Sequence, residues 1–172
     1  MIKDFVDEFE RYRTSGRKAL DQVPDDVINR AIGTGNNSVA VIVRHVGGNL
    51  ISRFTDFLTS DGEKPWRDRD SEFEEQTYTR AEMIEWWDKG WTVLFRELAM
   101  LTDADLAKRV TIRDQTLTVH EALARSVAHV AYHIGQIVLI ARMVQGEGWK
   151  WITVPRGKSK EYNLNPTKER KP

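Results

Sequence analysis

The sequence predicts an all-α protein, a four-helix bundle with a small β-hairpin before its last helix. Four long segments carry apolar residues at helical spacing, and the connections between them are short or irregular. Only one stretch alternates apolar and polar residues as a strand does. At 172 residues the chain can bury a core of its own. We therefore expect one domain over residues 1–172, with a loop-rich C-terminal tail from about residue 147.

Capping and helix-breaking residues set the limits of these helices. Ser38 is a suitable N-cap for the second helix, and Thr79 followed by Glu82 is the capping-box pattern for the third. Gly146 ends the fourth helix because glycine readily takes the backbone conformation found after a helix. The predicted helices span about residues 2–20, 38–59, 79–100 and 119–145.

The remaining segments are predicted as turns, one long loop and the hairpin. Residues 24–32 form a short turn. Residues 61–77 are polar and have no helical or strand period, so we expect a long surface connection. Residues 110–119 alternate about a turn-like Asp114-Gln115, which predicts the hairpin. The charged end of the tail is expected to be disordered.

The composition excludes several classes of function. Lys plus Arg and Asp plus Glu both total 26, so bulk charge favours neither a nucleic acid nor a membrane surface as partner. The chain has no cysteine, and therefore no disulfide, thiolate ligand or cysteine nucleophile. The N-terminus has no signal-peptide core, and no apolar run is long enough to span a bilayer. We expect a cytoplasmic protein that acts on a small molecule.

The fourth predicted helix carries two histidines on one face. His129 and His133 are four residues apart, which places one imidazole above the other on a helix. Two ring nitrogens at this spacing can bind one divalent cation. Such a pair by itself is more often just a satisfied or partly exposed polar pair. The prediction of a metal site therefore depends on a third ligand.

The second predicted helix supplies that candidate. His45 lies off the apolar stripe of this helix, on a polar row that also holds Asn49. A row of polar side chains on an apolar helix faces either bulk water or a hydrated site. Burying these polar groups without hydrogen-bond partners would cost free energy. Asn49 and Gln136 are candidates for hydrogen bonds to a ligand or to a substrate. The pair Gly47-Gly48 removes side-chain bulk where another helix or a ligand could come close.

Other conspicuous residues favour structural roles. His120 is expected to act locally near a helix start, and the tryptophans at 86, 87 and 91 are expected in the core or in a dimer interface. Basic residues at 156, 158 and 160 could hold an anion, but a solvated stretch is the favoured interpretation. Tyr132 and Leu139 make the far side of the fourth helix apolar, which indicates a homodimer near that helix.

Three stretches together resemble one known superfamily. They are SVAVIVRHVGGNLISRFTDFLTSDGEKPWRDRDSEF around His45, AHVAYHIGQI around the histidine pair, and TVPRGKSKEYN in the tail. The chain resembles the DinB/YfiT-like superfamily over nearly its whole length, and within it most closely the branch catalogued as domain of unknown function 1572. The loop TSDGEKPW and the tail are fairly specific to that branch.

The resemblance implies a four-helix bundle of up-down-down-up type that is usually dimeric. It also implies a divalent metal, often nickel or zinc, held by one histidine on the second helix and two on the fourth. His45, His129 and His133 match these positions. Better-known relatives are thiol S-transferases that use bacillithiol, mycothiol or glutathione, along with a maleylpyruvate isomerase, and others are described as metal-dependent hydrolases.

The leading hypothesis is a metal-dependent enzyme of the thiol-transferase or hydrolase type. A zinc or nickel ion held by the three histidines would activate water or a low-molecular-weight thiol, which must come from a cosubstrate because the chain has no cysteine. One alternative is a non-catalytic, stress-associated bundle that binds or stores metal or acts as a scaffold. Another is a partner-binding module that acts through tryptophan-rich faces.

Overall fold

The structure is a computed structural model that describes residues 1–74 and 76–167. The protein is mostly helical and has a two-stranded antiparallel hairpin directly before its last long helix. The expected disorder at the charged chain end concerns residues outside this range. The helices are α1 (Ile2–Leu20), α2 (Val39–Phe54), α3 (Arg80–Leu98), α4 (Val119–Gln145) and α5 (Ser159–Asn163), and the strands are β1 (Arg109–Ile112) and β2 (Gln115–Thr118). Three short 3-10 helices cover Asp70–Phe73, Asp103–Ala107 and Gly146–Gly148.

Side-chain caps start three of the four long helices, and those of α2 and α3 lie at the predicted places. The Ser38 hydroxyl accepts a hydrogen bond from the backbone N–H of Val41 at the start of α2. The predicted capping box of Thr79 and Glu82 is confirmed at the start of α3. A second capping box, which joins Thr118 to Glu121, starts α4. These bonds satisfy N–H groups that have no partner within the helix.

Helix α2 is shorter than predicted. It ends at Phe54, whereas the sequence pattern extends it to about Thr59. Asp56 has a φ of 50°, a left-handed conformation that an α-helix cannot contain. The apolar residue Phe57 still reaches the core from the turn that follows, which explains why the hydrophobic pattern continues past the end of the helix.

Aromatic side chains fill the core between α1, α2 and α3. The Phe9 ring lies edge-on to Phe54 and to Trp91, with ring centroids 6.3 and 6.4 Å apart. Trp87 and Trp91 are buried, so the core interpretation of these two tryptophans is confirmed and they form no exposed face. Each buried ring removes a large apolar area from water, which contributes a few kcal/mol.

Helix α1 contacts α4 along its length. The ring of Phe5 lies 5.5 Å from that of His120 near the start of α4, so this histidine packs against α1. Gly16 lies against Ile134, and past the end of α1 the amide of Gln145 donates a hydrogen bond to the carbonyl of Gln22. The contacts therefore advance along both helices in the same direction.

Glycines bring α2 and α3 into close contact. A Cβ on Gly47 would lie 2.5 Å from the backbone oxygen of Trp86, and a Cβ on Gly90 would lie 2.8 Å from the Cα of Gly47. A Cβ on Gly48 would lie 2.3 Å from Oε1 of Glu72. The prediction that the glycine pair permits a close approach is confirmed, because one glycine faces a helix and the other faces a loop.

The loop predicted to run over the surface is folded against α2 and the hairpin. Lys64 and Glu72 are buried in it, at 6% and 1% exposure. The carboxylate of Asp61 accepts hydrogen bonds from the backbone N–H groups of Arg113 and Asp114, which ties the loop to the hairpin turn. Residues 65, 66 and 68–70 are exposed, so the predicted surface connection over residues 61–77 is confirmed for its central part, whereas Lys64 and Glu72 on either side of that part are buried.

The hairpin is confirmed, and its turn lies one residue earlier than predicted. Arg113 and Asp114 are the two turn residues, and both have positive φ, at 54° and 59°. Two successive residues of positive φ match the right-handed twist of a two-residue hairpin. The Asp61 carboxylate satisfies the N–H groups of this turn from outside the hairpin.

The expectation that no apolar run is long enough to span a bilayer does not hold for α4: among the described residues, the helical stretch Val119–Gly148 is long and apolar enough by length and composition. A single such stretch is weak support for a membrane span, because a core helix passes the same test. Helix α4 places Leu123, Val130 and Ile137 fully inside the protein core.

Candidate metal centre

The three predicted histidines converge at one point between α2 and α4. Nε2 of His129 lies 3.2 Å from Nε2 of His45 and 3.2 Å from Nε2 of His133. One ligand atom from each ring falls within 4.8 Å of the other two. The spacing of four residues on α4 stacks His129 and His133, and the crossing of α2 brings His45 to them.

These distances fit a cation with tetrahedral geometry. A zinc ion bound to imidazole nitrogens at about 2.0–2.1 Å separates its ligands by roughly 3.3–3.4 Å. The two measured Nε2 separations of 3.2 Å are close to this value. Three neutral imidazoles form a donor set that suits zinc and nickel. The side chains therefore fit a divalent cation.

A buried carboxylate orients His45. Nδ1 of His45 lies 2.8 Å from Oε2 of Glu72, and Arg67 donates two further hydrogen bonds of 2.8 Å to the same carboxylate. Burial alone would raise the pKa of the Glu72 carboxyl, but the hydrogen bonds from His45 and Arg67 outweigh it and lower this pKa. An ionised carboxylate only accepts hydrogen bonds, so the His45 proton is on Nδ1 and the Nε2 lone pair points at the site.

An amide orients His133 in the same way. Nδ1 of His133 lies 2.8 Å from Oε1 of Gln136, one turn further along α4. The amide oxygen accepts the Nδ1 proton, and this leaves the Nε2 lone pair for the site. The structure thus places Gln136 directly behind one of the three histidines. Asn49 lines a cavity together with His45 and His129.

The environment keeps the α4 histidines neutral. Burial, followed by the neighbouring His133 and His45, lowers the pKa of His129 to about 3. Burial also lowers the pKa of His133, although the hydrogen bond to Gln136 opposes this shift. Neutral rings carry the lone pairs that metal binding requires. If Nε2 of His129 carried a proton, this one proton could not form good hydrogen bonds to the Nε2 lone pairs of both His45 and His133. A divalent cation would bind the lone pairs of all three rings.

His129 differs from the other two histidines in one respect. Its Nδ1 is buried and has no hydrogen-bond partner among the residues that the structure describes. Histidine ligands usually donate this second N–H to an oxygen, which fixes the ring. His129 is therefore held mainly by packing and by its contacts with the other two rings.

A cavity of about 220 Å³ opens beside the histidines. Its wall includes residues of α2, of α4, of the loop after α2 and of the hairpin turn. His45 and His129 contribute to this wall, so a small molecule in the cavity would touch the site. The lining is polar and includes the five arginines Arg53, Arg67, Arg69, Arg113 and Arg125.

The remaining candidates from the sequence lie apart from the histidine cluster, except Tyr132, whose ring centroid is 5.0 Å from that of His133. The basic residues at 156, 158 and 160 are exposed, as the solvated interpretation predicted, and Lys158 pairs with Glu161. His120 is outside the histidine cluster and contacts Phe5. Tyr132 and Leu139 are 64% and 59% exposed on α4.

Sequence reasoning missed Glu72 and Arg67, which support the site from the loop. Both side chains are almost fully buried, at 1% and 3% exposure. Nothing in the pattern of residues 61–77 separates Glu72 from the other acidic residues there. The one available signal was Gly48, a position where the structure shows the Glu72 carboxylate in place of a side chain.

Comparison with known proteins gives one family. A family model described as "Protein of unknown function (DUF1572)" matches residues 1–158, which includes all three histidines, Glu72 and the cavity. A search of curated proteins finds no match.

Proposed function

Because the chain belongs to the DUF1572 family of proteins of unknown function, we propose its function from its own side chains: a metal-dependent enzyme in which His45, His129 and His133 bind a zinc or nickel ion. The reaction we propose is a thiol S-transfer or a hydrolysis on a small molecule. The observation that carries the proposal is the convergence of three Nε2 atoms, two of which are held by Nδ1 partners.

The chain's own residues would prepare the site for binding. Glu72 and Gln136 fix the tautomers of His45 and His133, so no proton has to move before a cation binds. Burial keeps His129 neutral at physiological pH. When bound, a divalent cation with an open position lowers the pKa of a water or thiol ligand toward neutrality and supplies a nucleophile.

The cavity favours an enzyme over a storage or structural role. A structural zinc site has four protein ligands, whereas a catalytic site keeps a position for substrate. Among the described residues, the group of possible ligands contains only the three histidines. The adjoining cavity leads to two of them, so a substrate can reach the position that protein ligands leave open.

We extend the proposal to the arrangement of the whole chain, residues 1–172, as one up-down-down-up four-helix bundle. The contacts from Phe5 to Gln22 support a parallel pair of α1 and α4. The contact of Phe9 with Phe54 and of Gly16 with Trp87 supports α1 running against α2 and α3. The family resemblance supports the same order of helices.

The proposal also includes a homodimer and a cytoplasmic location. The exposed apolar side chains of Tyr132 and Leu139 on α4 support a dimer, because burying them in an interface would remove their apolar surface from water. Light scattering after size exclusion tests it. A mass of about two chains supports the dimer, and a mass of one chain of 19.9 kDa rejects it.

Metal content tests the site itself. Tag-free protein purified without added metal, and again after titration with zinc and nickel, is analysed by mass spectrometry. We expect about one ion per chain in the wild type, since three histidines form one site. The variants His45→Ala and His133→Ala should lose it.

His120→Ala is the matched control, since this histidine also lies on α4 but outside the cluster. It should keep the metal, and circular dichroism should show that all variants remain helical. Absence of metal in the wild type even after titration would reject the proposal. Once binding is established, thiol-transfer and hydrolysis substrates are compared, and turnover that follows metal content separates an enzyme from a storage protein.

A further inference from the structure

The cavity beside the histidines is strongly cationic. Five arginines line it, from four different segments of the chain. Among the residues that the structure describes, no carboxylate contributes to the lining. Such a concentration of like charge is unfavourable, since each guanidinium repels the others in a partly dry space. It is retained in proteins where an anion binds.

The carboxylates behind the cavity neutralise only part of this charge. Glu72 is committed to Arg67, with two hydrogen bonds of 2.8 Å. Glu63 is shared between Arg53, at 3.2 Å, and Arg113, at 2.8 Å. Arg69 has Asp70 at 3.5 Å, and both side chains are exposed. The arginines therefore outnumber the carboxylates that pair with them.

Arg53 gives the sharpest sign that the cavity suits an anion. Its side chain is only 11% exposed, and its Nη1 is buried without a hydrogen-bond partner among the described residues. A buried donor on a charged group that lacks a hydrogen-bond partner destabilises the folded protein. Burial, with Arg67 and Arg113 nearby, lowers the pKa of Arg53 despite the opposing effect of Glu63. Because Arg53 lines the cavity, an anion bound there would bring a negative charge next to its guanidinium group and favour the charged form.

We infer that the substrate or cosubstrate of the histidine site is a small organic oxyanion, whose carboxylate or phosphoryl group binds to Arg53 and Arg125 in this cavity. Arg125 precedes His129 by one turn of α4, and Arg53 follows His45 by two turns of α2. An anionic group held there leaves the rest of the ligand next to the histidines. The inference rests on the proposed function, because it assigns the ligand class of the same site.

The size of the cavity limits the ligand. A volume of about 220 Å³ is below the 300–1,000 Å³ typical of pockets for drug-sized ligands. The enclosed part therefore suits a small carboxylic acid or phosphate ester. The guanidinium forks supply paired donors that match the two oxygens of either group.

Calorimetric titration of inorganic phosphate and of acetate into the full-length, chelator-treated protein tests the inference. Removal of metal ensures that the anion is not simply bound by a cation. Low ionic strength is used because salt screens the attraction. We expect saturable binding of at least one anion, and the tighter of the two identifies a phosphoryl or a carboxylate group.

Two variants and one control locate the binding. Arg125→Gln removes an exposed cation, so the fold should survive, and Arg53→Lys keeps the charge but removes the guanidinium fork. Each should weaken anion binding about tenfold or more, the effect of losing one charged hydrogen bond. Arg142→Gln makes the same change on the exposed face of α4 next to Trp151, away from the cavity, and should bind like the wild type.

Failure of both anions to bind the wild type would overturn the inference, and so would equal binding by all four proteins. Both results are independent of metal content. A protein that binds metal through its histidines but no anion would keep the proposed function and lose only the ligand class. Anion binding without any metal uptake would keep the ligand class and reject the proposed metal-dependent function.

Discussion

Nδ1 of His45 and Oε2 of Glu72 lie 2.8 Å apart in a buried contact, and this pair links the long loop after α2 to the histidine site. The carboxylate belongs to a short 3-10 helix, and the histidine to a long α-helix. Gly48 leaves the space that lets the carboxylate approach α2. The loop therefore sets which nitrogen of His45 carries the proton.

We predict that Glu72→Gln weakens metal binding about 10- to 100-fold, the usual effect of losing an oxygen partner behind a histidine ligand. The amide can no longer supply the negative charge that raises the basicity of His45. Arg67 also stays buried without its counter-charge, so the free energy of unfolding should fall by up to about 3–5 kcal/mol. Competition with a chelator measures the affinity, and urea unfolding measures the stability.

Glu74→Gln is the control for this variant, because Glu74 is exposed in the same loop. It should leave both quantities unchanged within about 0.5 kcal/mol. If Glu72→Gln binds metal as tightly as Glu74→Gln does, the carboxylate does not orient a ligand.

Gln136→Met should weaken metal binding by less, up to about tenfold, because it removes a neutral acceptor and not a charged one. Gln136 is half-buried, so the unfolding free energy should change little. The same chelator competition ranks the two variants. A larger effect at Gln136 than at Glu72 would contradict this order of importance.

Gly47→Ala should destabilise the protein by about 1–3 kcal/mol, because its new methyl group would meet the backbone of Trp86 at 2.5 Å. Gly135→Ala on α4 is the opposite case, since a Cβ there would have no atom within 4 Å among the described residues, apart from its chain neighbours and the backbone of its own helix. Alanine is the better helix former, so this variant should gain about 0.5–1 kcal/mol. Urea unfolding of both variants tests the contrast. Equal changes in the free energy of unfolding for the two variants would mean that α2 and α3 can move apart without loss of stability.

Acid should destabilise the metal-free protein from about pH 6.5 downward. The pKa of His129 is near 6.5 in the unfolded chain and about 3 in the folded one, so the unfolded state binds more protons over this window. The stabilising difference is fully present above pH 6.5 and is lost as the pH falls toward 3. The slope from one such group is at most about 1.4 kcal/mol per pH unit.

The measurement compares urea midpoints of chelator-treated wild type and His129→Gln at several pH values between 7.5 and 4. The variant should lose less stability on acidification, since glutamine does not titrate. Parallel curves for the two proteins would show that His129 is not the group responsible.

Much of the fold followed from local signals in the sequence. The capping box of Thr79 and Glu82 and the helix end at Gly146 are short-range features, and both limits were predicted correctly. The spacing of His129 and His133 on one helix likewise follows from helical geometry alone. The end of α2 was misplaced because Phe57 continues the apolar pattern after Asp56 has left the helix.

Only the tertiary structure decided what surrounds the histidines. The helical period of the apolar residues could place His45 off the apolar stripe of α2. Whether His45 meets His129 and His133 depends on how α2 and α4 cross. The burial of Glu72, and of an Arg53 Nη1 that has no partner in the described part of the chain, depend on a loop without periodicity, folded by contacts between residues far apart in the chain. The spacing of residues in the sequence gives information about one helix at a time. Charge pairing and burial arise from contacts between different segments, and it is these contacts that decide the chemistry of the site.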